Sequence, residues 1–229
     1  MQRSPAKAVV MFARDPVPGQ VKTRLLQVFN EETVCRIYEC FLADTLALLE
    51  TFAGADRIVA VHPAPQTGFF RDLAGRGFRQ IVQEGEDLGD RMRRVFTQLL
   101  SAEGRPRVVV IGSDSPTLPR EYLAAALESE KDIVLGPSVD GGYYLIGMGP
   151  RFVDVFAGVG WGTARVLADT LGRIAAEAAS LDLLPPWYDV DLPADLRFLK
   201  THLELLAVAG HKVGTATRAG LRNLEGDSG

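Results

Sequence analysis

The sequence has few cysteines and few histidines, and both shortages exclude classes of protein. Cys35 and Cys40 are the two cysteines among 229 residues, and a spacing of five within one helix places their side chains on different faces. They cannot bridge each other, and they lack the spacing of a zinc site. His62, His202 and His211 show no ligand spacing either, and we expect them to be structural or at the surface. Cysteine usage of this kind suits a reducing cytosol, so we expect a cytoplasmic protein.

Long apolar runs and an excess of basic charge are also missing. The first apolar stretch, 8–13, is too short to cross a membrane, and no signal-peptide pattern accompanies it. With 25 Lys and Arg against 29 Asp and Glu, the net charge of −4 argues against a nucleic-acid or anionic-membrane partner. Hydrophobic residues at 47% and charged residues at 24% are typical of folded chains. We expect one domain over residues 1–229 with a core that needs no disulfides.

Strand-like and helix-like segments alternate along the chain. Apolar runs rich in Val and Ile recur at 8–13, 57–62, 79–82, 107–112, 132–136 and 143–148. Longer stretches between several of them carry apolar residues in steps of three and four, as from Val34 to Leu49. This alternation predicts an α/β fold with a mostly parallel, Rossmann-like sheet covered by helices on both faces.

Three further features complete this picture of the chain. The uninterrupted run 108–111 predicts a buried central strand. An extended Pro-rich segment at 183–191 leads into a last helix at 193–208. We expect the tail at 209–229 to be loosely ordered because it is rich in Gly, Ser, Thr and charges.

The segment 12–24, directly after the first predicted strand, is a basic loop stiffened by two prolines. Arg14, Lys22 and Arg24 supply charge-assisted donors, and Gly19 lets the backbone approach a ligand closely. The loop lacks the glycine that a Walker A motif has before its lysine. The pattern predicts a phosphate-binding loop, and the alternative is a solvated turn with surface charges.

Asp114 follows the predicted central strand in a turn of Gly, Ser and Pro, with Ser113 beside it. Ligands bind at the carboxyl ends of strands in open α/β sheets, and a carboxylate there can ligate a hard cation such as Mg²⁺. We expect Asp114 to hold a cation that bridges to substrate phosphates. The alternative is that Asp114 caps the helix that follows.

A glycine-rich turn lies between two predicted strands. Asp140, Gly141 and Gly142 allow a ligand to approach the backbone, and Tyr143 offers a stacking surface and a hydroxyl. Asp-Gly is equally an ordinary hairpin turn, so the functional and the structural interpretation have similar weight here.

Asp189 and Asp191 stand two residues apart in the extended segment, so their side chains share one face and can converge on one cation. The alternative for Asp191 is to cap the last helix, with Pro193 in its first turn. Carboxylates gathered without a cation repel each other. We therefore expect Asp114→Asn and Asp191→Asn to leave the metal-free protein equally or more stable.

Four motifs in this order, FARDPVPGQVKTRL, IGSDSPTLP, LGPSVDGGYYLIG and YDVDLPADL, resemble a family. It is the bacterial DUF2064-type family of uncharacterised, nucleotide-diphospho-sugar transferase-like proteins with the glycosyltransferase A fold, and the resemblance spans residues 7–208. It implies a nucleotide held by the amino-terminal half, a divalent cation on Asp114, and a late acidic pair at Asp189 and Asp191.

A second resemblance concerns the basic loop alone. Lys22, Thr23 and Arg24 are similar to the loop of guanylyltransferases that act on 2-phospholactate, which implies nucleotidyl transfer. The loop departs from the commonest nucleotidyltransferase pattern because it lacks the GGxGxR glycines.

These resemblances favour a metal-dependent transferase that uses an NDP-sugar, Mg²⁺ or Mn²⁺, and an acceptor that the motifs leave open. We expect Asp114 and Lys22 to be catalytic, and Asp114, Asp189 and Asp191 to ligate the metal. The expected substrate contacts are Arg14, Gly19, Lys22, Thr23, Arg24, Ser113, Asp140, Gly141, Gly142 and Tyr143. One alternative is nucleotidyl transfer from an NTP. Another is a noncatalytic nucleotide-binding protein, which the three carboxylates disfavour because a phosphate binder gains nothing from them without a cation.

Overall fold

A computed structural model describes residues 6–226, and these contain a seven-stranded sheet. The strands are β1 (Ala8–Arg14), β2 (Asp56–His62), β3 (Phe78–Val82), β4 (Val108–Ile111), β5 (Ile133–Pro137), β6 (Tyr143–Met148) and β7 (Leu181–Leu183). Their order across the sheet is β3-β2-β1-β4-β6-β5-β7. Strand β6 runs antiparallel to both of its neighbours, and the other pairs are parallel. The predicted α/β class with a mostly parallel sheet is confirmed.

Helices cover both faces of the sheet. They are α1 (Glu31–Glu50), α2 (Leu88–Phe96), α3 (Arg120–Glu128), α4 (Val166–Ala176), α5 (Pro193–Val208) and α6 (Thr215–Gly226). Alternate residues of β1 enter two separate cores: Val9 and Met11 pack with α1, α3 and α5, whereas Val10 and Phe12 pack with α2 and α4. This is why β1 reads as a continuous apolar run. Across residues 6–226, no helix combines the length and the apolar character that a membrane span requires.

The first long helix follows the predicted periodicity. Asn30 caps α1 by accepting a hydrogen bond from the backbone N–H of Thr33 at 2.8 Å, and two glutamates follow in the first turn. Cys35 is buried and Cys40 is partly exposed on another side of the helix, and both thiols are free.

The topology brings the four sequence motifs to one edge of the sheet. Strands β1, β2 and β4 are parallel, so the loops that follow them leave from the same edge. Strand β6 starts at that edge because it runs the other way, with Leu145 opposite Ile111. The extended segment 184–190 continues beyond β7 along β5 and ends where the Val190 N–H donates to the Asp114 carbonyl at 2.9 Å.

The expectation of a loosely ordered tail at 209–229 is corrected by α6, and residues 227–229 lie outside the described part of the chain. Two backbone N–H groups at the start of α6, from Ala216 and Thr217, donate to the two carboxylate oxygens of Asp44 on α1 at 2.9 and 2.8 Å. The polar composition of the tail did not indicate this helix, because its first turn is capped by Asp44, about 170 positions earlier in the chain.

We expect Asp44→Ala to destabilise the protein by about 1–3 kcal/mol, because it leaves two N–H groups at a buried helix start without an acceptor. Chemical denaturation measures the change. Glu50→Ala, at the exposed end of the same helix, removes a surface ion pair with Arg76 and should cost only about 0–1 kcal/mol. Equal costs for the two variants would contradict the capping role of Asp44.

Candidate active site

A cleft of about 570 Å³ lies at the carboxyl edge of the sheet. The residues expected from the sequence that line it are Arg14, Lys22, Thr23, Arg24, Ser113, Asp114, Tyr143, Asp189 and Asp191. Asp140 and Gly142 line a second lobe of about 440 Å³, which shares Asp189 and Asp191 with the first lobe. Gly19 and Gly141 line neither lobe. The structure therefore gathers most of the expected residues around one cavity.

The centre of this cleft is an ion-pair triad. The ammonium of Lys22 lies 2.8 Å from Oδ1 of Asp114 and 2.7 Å from Oδ1 of Asp191. Its side chain is only 4% exposed, whereas those of Asp114 and Asp191 are 40% and 36% exposed. Lys22 has a backbone φ of 45°, a left-handed conformation that is uncommon for a residue with a side chain. The chain thus holds Lys22 in a strained backbone conformation at the point where it neutralises two carboxylates.

The charges of this triad shift the pKa values of Lys22 and Asp191. Burial alone would lower the pKa of Lys22, but the charges of Asp114 and Asp191 outweigh burial and raise it. Burial would raise the pKa of Asp191, but the ammonium of Lys22 holds it below its ordinary value. The ammonium and the Asp191 carboxylate are both charged at neutral pH.

Asp189 is placed differently from Asp191. Ser115 donates its hydroxyl to Oδ1 of Asp189, and Ser138 donates its hydroxyl to Oδ2 at 2.7 Å. Burial, together with the charge of Asp114, raises the pKa of Asp189 to about 6. Both oxygens of this carboxylate are therefore already engaged by protein donors.

The donor set can be tested for its fit to Mg²⁺ or Mn²⁺. Asp114 and Asp191 fit, because they are oxygen ligands that are partly exposed and held towards one point. Asp189 fits less well in this arrangement, since its carboxylate is buried and each of its oxygens already accepts a hydrogen bond from a hydroxyl group. In the described residues, no group of three His, Cys, Asp or Glu side chains is arranged to hold a metal ion. The expected triple acidic site is thus reduced to a pair with Lys22 between its members.

The helix-cap alternatives for these aspartates are excluded by the structure. Helix α3 begins after Pro119, which makes no side-chain cap. At the start of α5 the carboxylate of Asp195 accepts from the N–H groups of Asp191 and Leu192 at 3.0 and 2.7 Å. The carboxylates of Asp114 and Asp191 are therefore not used as helix caps.

The glycine-rich turn between β5 and β6 has a structural role at its centre. Gly141 has a φ of 94°, and a Cβ there would lie 2.6 Å from the carbonyl oxygen of Ala164. Oδ1 of Asp140 accepts from the N–H of Gly142 at 2.9 Å, as in an ordinary Asx turn. The ring of Tyr143 lines both lobes of the cleft, but its hydroxyl is buried. The hairpin interpretation accounts for Gly141, while its neighbours border the cavity.

Several cleft residues were not predicted from the sequence, among them Tyr38, His62, Gln83 and Arg91. The hydroxyl of Tyr38 accepts from the N–H of Arg14 and is hydrogen-bonded to Ser113, both at 2.9 Å, so it ties two loops together. His62 ends β2 and Gln83 follows β3, and the rule that ligands bind at carboxyl ends of strands was the signal that could have found them. Arg91 lies on α2, and no motif spacing indicated it.

Comparison with known proteins gives a consistent result. The family model described as "Uncharacterized protein conserved in bacteria (DUF2064)" matches residues 45–163. A crystal structure from Desulfovibrio desulfuricans G20, provisionally named a nucleotide-diphospho-sugar transferase, is 32% identical with a TM-score of 0.85, and the match covers 97% of this chain and 96% of that one. A 2-phospho-L-lactate guanylyltransferase of Archaeoglobus profundus is 27% identical over 194 residues, which are 82% of this chain and 81% of the relative.

A more distant structure shares the fold alone. It is a 4-diphosphocytidyl-2C-methyl-D-erythritol synthase, 14% identical with a TM-score of 0.56, and the match covers 86% of this chain and 98% of that one.

The sheet order and the charged cleft at its carboxyl edge define a transferase-like protein of the nucleotidyl and sugar-nucleotide class. The chain belongs to the DUF2064 family, as its four motifs predicted.

The ion-pair triad changes what is expected of variants. Lys22→Met leaves Asp114 and Asp191 facing each other without the ammonium between them, and only the exposed Arg24 stays near Asp191. In a chelating buffer it should lower the free energy of unfolding by about 1–3 kcal/mol, less than the ~3–5 kcal/mol of a fully buried pair because both carboxylates are partly exposed. Asp191→Asn should also destabilise the protein, which reverses the expectation drawn from carboxylate repulsion.

The double variant Lys22→Met/Asp191→Asn serves as the control, since it removes the ammonium and one of the facing charges together. It should be more stable than Lys22→Met alone, and urea unfolding of all four proteins measures the coupling. A coupling free energy of zero would mean that the triad adds nothing to stability.

Proposed function

We propose that this protein is a metal-dependent transferase whose donor is a nucleotide carrying a polyphosphate. The observation that carries this proposal is the cleft itself, in which Arg14, Arg24 and Arg91 surround the triad of Lys22 and its two aspartates. Cations near a pair of cleft-facing carboxylates suit a phosphate chain that arrives with a divalent cation, since the carboxylates alone would repel it.

Asp114 and Asp191 are the residues that would hold Mg²⁺ or Mn²⁺. When bound, the ion neutralises phosphate charge and orients the group that is transferred. Lys22 then remains as a buried ammonium beside the same carboxylates, where it holds the pKa of Asp191 below its ordinary value. Ser115 and Ser138 support this arrangement indirectly, because they hold Asp189 next to the triad.

Between the two donors left open by the sequence, we favour an NTP over an NDP-sugar. In the first lobe the four cationic side chains, Arg14, Lys22, Arg24 and Arg91, outnumber the three carboxylates, Asp114, Asp189 and Asp191, even before a divalent cation is added. A triphosphate carries more negative charge than a diphosphate ester, so the excess positive charge attracts it more strongly. The relative that aligns over 82% of this chain is named a guanylyltransferase, which supports nucleotidyl transfer.

The NDP-sugar donor remains the second candidate because the Desulfovibrio protein, at 32% identity, carries that name. The two candidates differ in what leaves the donor. Nucleotidyl transfer releases pyrophosphate, and glycosyl transfer releases a nucleoside diphosphate.

The acceptor fits the second lobe of the cleft. Phe12, Met92, Tyr143 and Trp161 supply an apolar and aromatic surface there, and Arg24 is the one cationic side chain among the described residues that line it. This lobe adjoins the first along Asp189 and Asp191, so an acceptor within it lies next to the donor phosphates.

The products decide between the donors. We expect incubation of the protein with Mg²⁺ and a panel of labelled NTPs and NDP-sugars, in the presence of candidate acceptors, to release pyrophosphate from an NTP. Asp191→Asn should lower kcat/KM on the order of a hundredfold or more, the scale for losing one preorganised group at a reacting charge. Steady-state kinetics with a coupled pyrophosphate assay measures this.

Asp72→Asn is the matched control, since Asp72 is an exposed aspartate outside the cleft. It should leave the rate unchanged. Release of free NDP from an NDP-sugar would identify glycosyl transfer as the reaction instead. If neither donor class is turned over in a metal-dependent way, the proposal is wrong.

A further inference from the structure

We propose that Arg14, Arg91 and His62 form a phosphate-binding site at the end of the cleft distinct from the Lys22 triad, and that it takes the terminal phosphates of a polyphosphate. This inference rests on the proposed function for its biological ligand. It replaces Lys22 with Arg91 as a principal phosphate contact.

The fold places these three side chains together. Arg14 ends β1 and His62 ends β2, and the two residues are direct partners in the parallel register. Neighbouring strands are ~4.8 Å apart, so both side chains leave the sheet at one point. Arg91 comes from the first turn of α2, which borders the same cavity through Leu88.

Neither guanidinium in this group is paired with a carboxylate of the described residues. Within residues 6–226, Arg14 and Arg91 form no ion pair. Other arginines do, namely Arg24, Arg79, Arg93, Arg94, Arg105 and Arg151. Nε of Arg91 is buried and has no hydrogen-bond partner. A buried donor of this kind is costly unless something that is not part of the chain accepts from it.

The acidic residues of α2 are already engaged. Asp87 uses its carboxylate to cap α2 by accepting from the N–H of Asp90 at 2.7 Å. Asp90 itself pairs with Arg93 and Arg94 at 2.6 and 3.1 Å. Asp87 also attracts Arg91 through its charge, but the two side chains form no ion pair, so Arg91 lines the cleft without a carboxylate bound to its guanidinium.

Two of the three cations expected from the sequence to hold phosphate lie beside carboxylates. Lys22 contacts both Asp114 and Asp191, and Arg24 lies 3.9 Å from Asp191 with 67% of its side chain exposed. The positive charge that remains for an anion is concentrated on Arg14 and Arg91.

Mutual repulsion supports the same conclusion. Burial lowers the pKa of Arg91 and that of His62, and the charge of Arg14 lowers both further. An anion between these groups would relieve that repulsion, and guanidinium groups bind phosphate through paired donors. A sheet edge that holds unpaired like charges is thus stabilised by a multiply charged phosphate.

The test uses inorganic pyrophosphate and the full-length protein in EDTA, so that the triad cannot contribute through a metal. We expect pyrophosphate to raise the melting temperature of the wild-type protein and to bind measurably by calorimetry, more tightly than inorganic phosphate. Arg91→Gln should weaken pyrophosphate binding roughly ten- to a hundredfold, the range for one lost charge-assisted contact.

Two further variants complete the design. Arg14→Gln, at an exposed side chain, should weaken binding in the same way and keeps the test valid if Arg91→Gln folds poorly. Arg197→Gln removes the same charge from an exposed position on α5 outside the cleft, and its dissociation constant should equal that of the wild type.

The stability of the ligand-free protein gives an independent readout. Arg91→Gln should melt at or above the wild-type temperature without pyrophosphate, because repulsion is relieved, and below it at saturating pyrophosphate. Unchanged pyrophosphate affinity in both Arg91→Gln and Arg14→Gln, or equal weakening in Arg197→Gln, would overturn the inference. Pyrophosphate binding that depends on Arg91 in a protein without transferase activity would sustain this site and reject the proposed function.

Discussion

The buried ammonium of Lys22 is the interaction on which the cleft depends. It joins the loop after β1 to Asp114, which follows β4, and to Asp191. Asp191 lies 169 residues after Lys22 in the chain. Each of these segments leaves the sheet at its carboxyl edge, and the shared charge brings their side chains to one point. The left-handed backbone at Lys22 shows that the loop accepts local strain to bring the ammonium there.

Because Lys22 is paired with two aspartates, the cleft has two regions of different charge. Around Lys22 the positive and negative groups nearly cancel, so that region is suited to a divalent cation, whose charge the partly exposed carboxylates can share. Towards β2 and α2 the cations are unpaired, so that region is suited to an anion. The triad accounts for the first property, and the strand ends at Arg14 and His62 account for the second.

Six of the seven strands were predictable from the sequence because their signals are local, and the three-residue β7 was missed. The apolar run of β1 and the central run of β4 each indicate a strand buried on both faces, and the periodicity of α1 indicates one amphipathic helix. The placement of Asp114 at the carboxyl edge followed from the same reasoning, whereas the association of Asp191 with it was implied by the family resemblance. Partners far apart in the chain were not predictable: the pairing of Lys22 with the aspartates, and the capping of α6 by Asp44, arise only in the folded protein. Arg91 was missed because its significance lies in having no carboxylate paired with it, which no spacing in the sequence reveals.

The late aspartates show how far a spacing argument reaches. Alternation in an extended segment predicts that the side chains of Asp189 and Asp191 share a face. The structure agrees with this prediction, because both aspartates line the cleft while Val190 between them is fully buried. Two side chains on the same face need not bind the same partner, because each meets different neighbouring residues. Asp189 meets the hydroxyls of Ser115 and Ser138, which fasten the extended segment to the loop after β4 and the end of β5. Asp191, two residues further, is thereby presented to Lys22, so the buried carboxylate positions the exposed one.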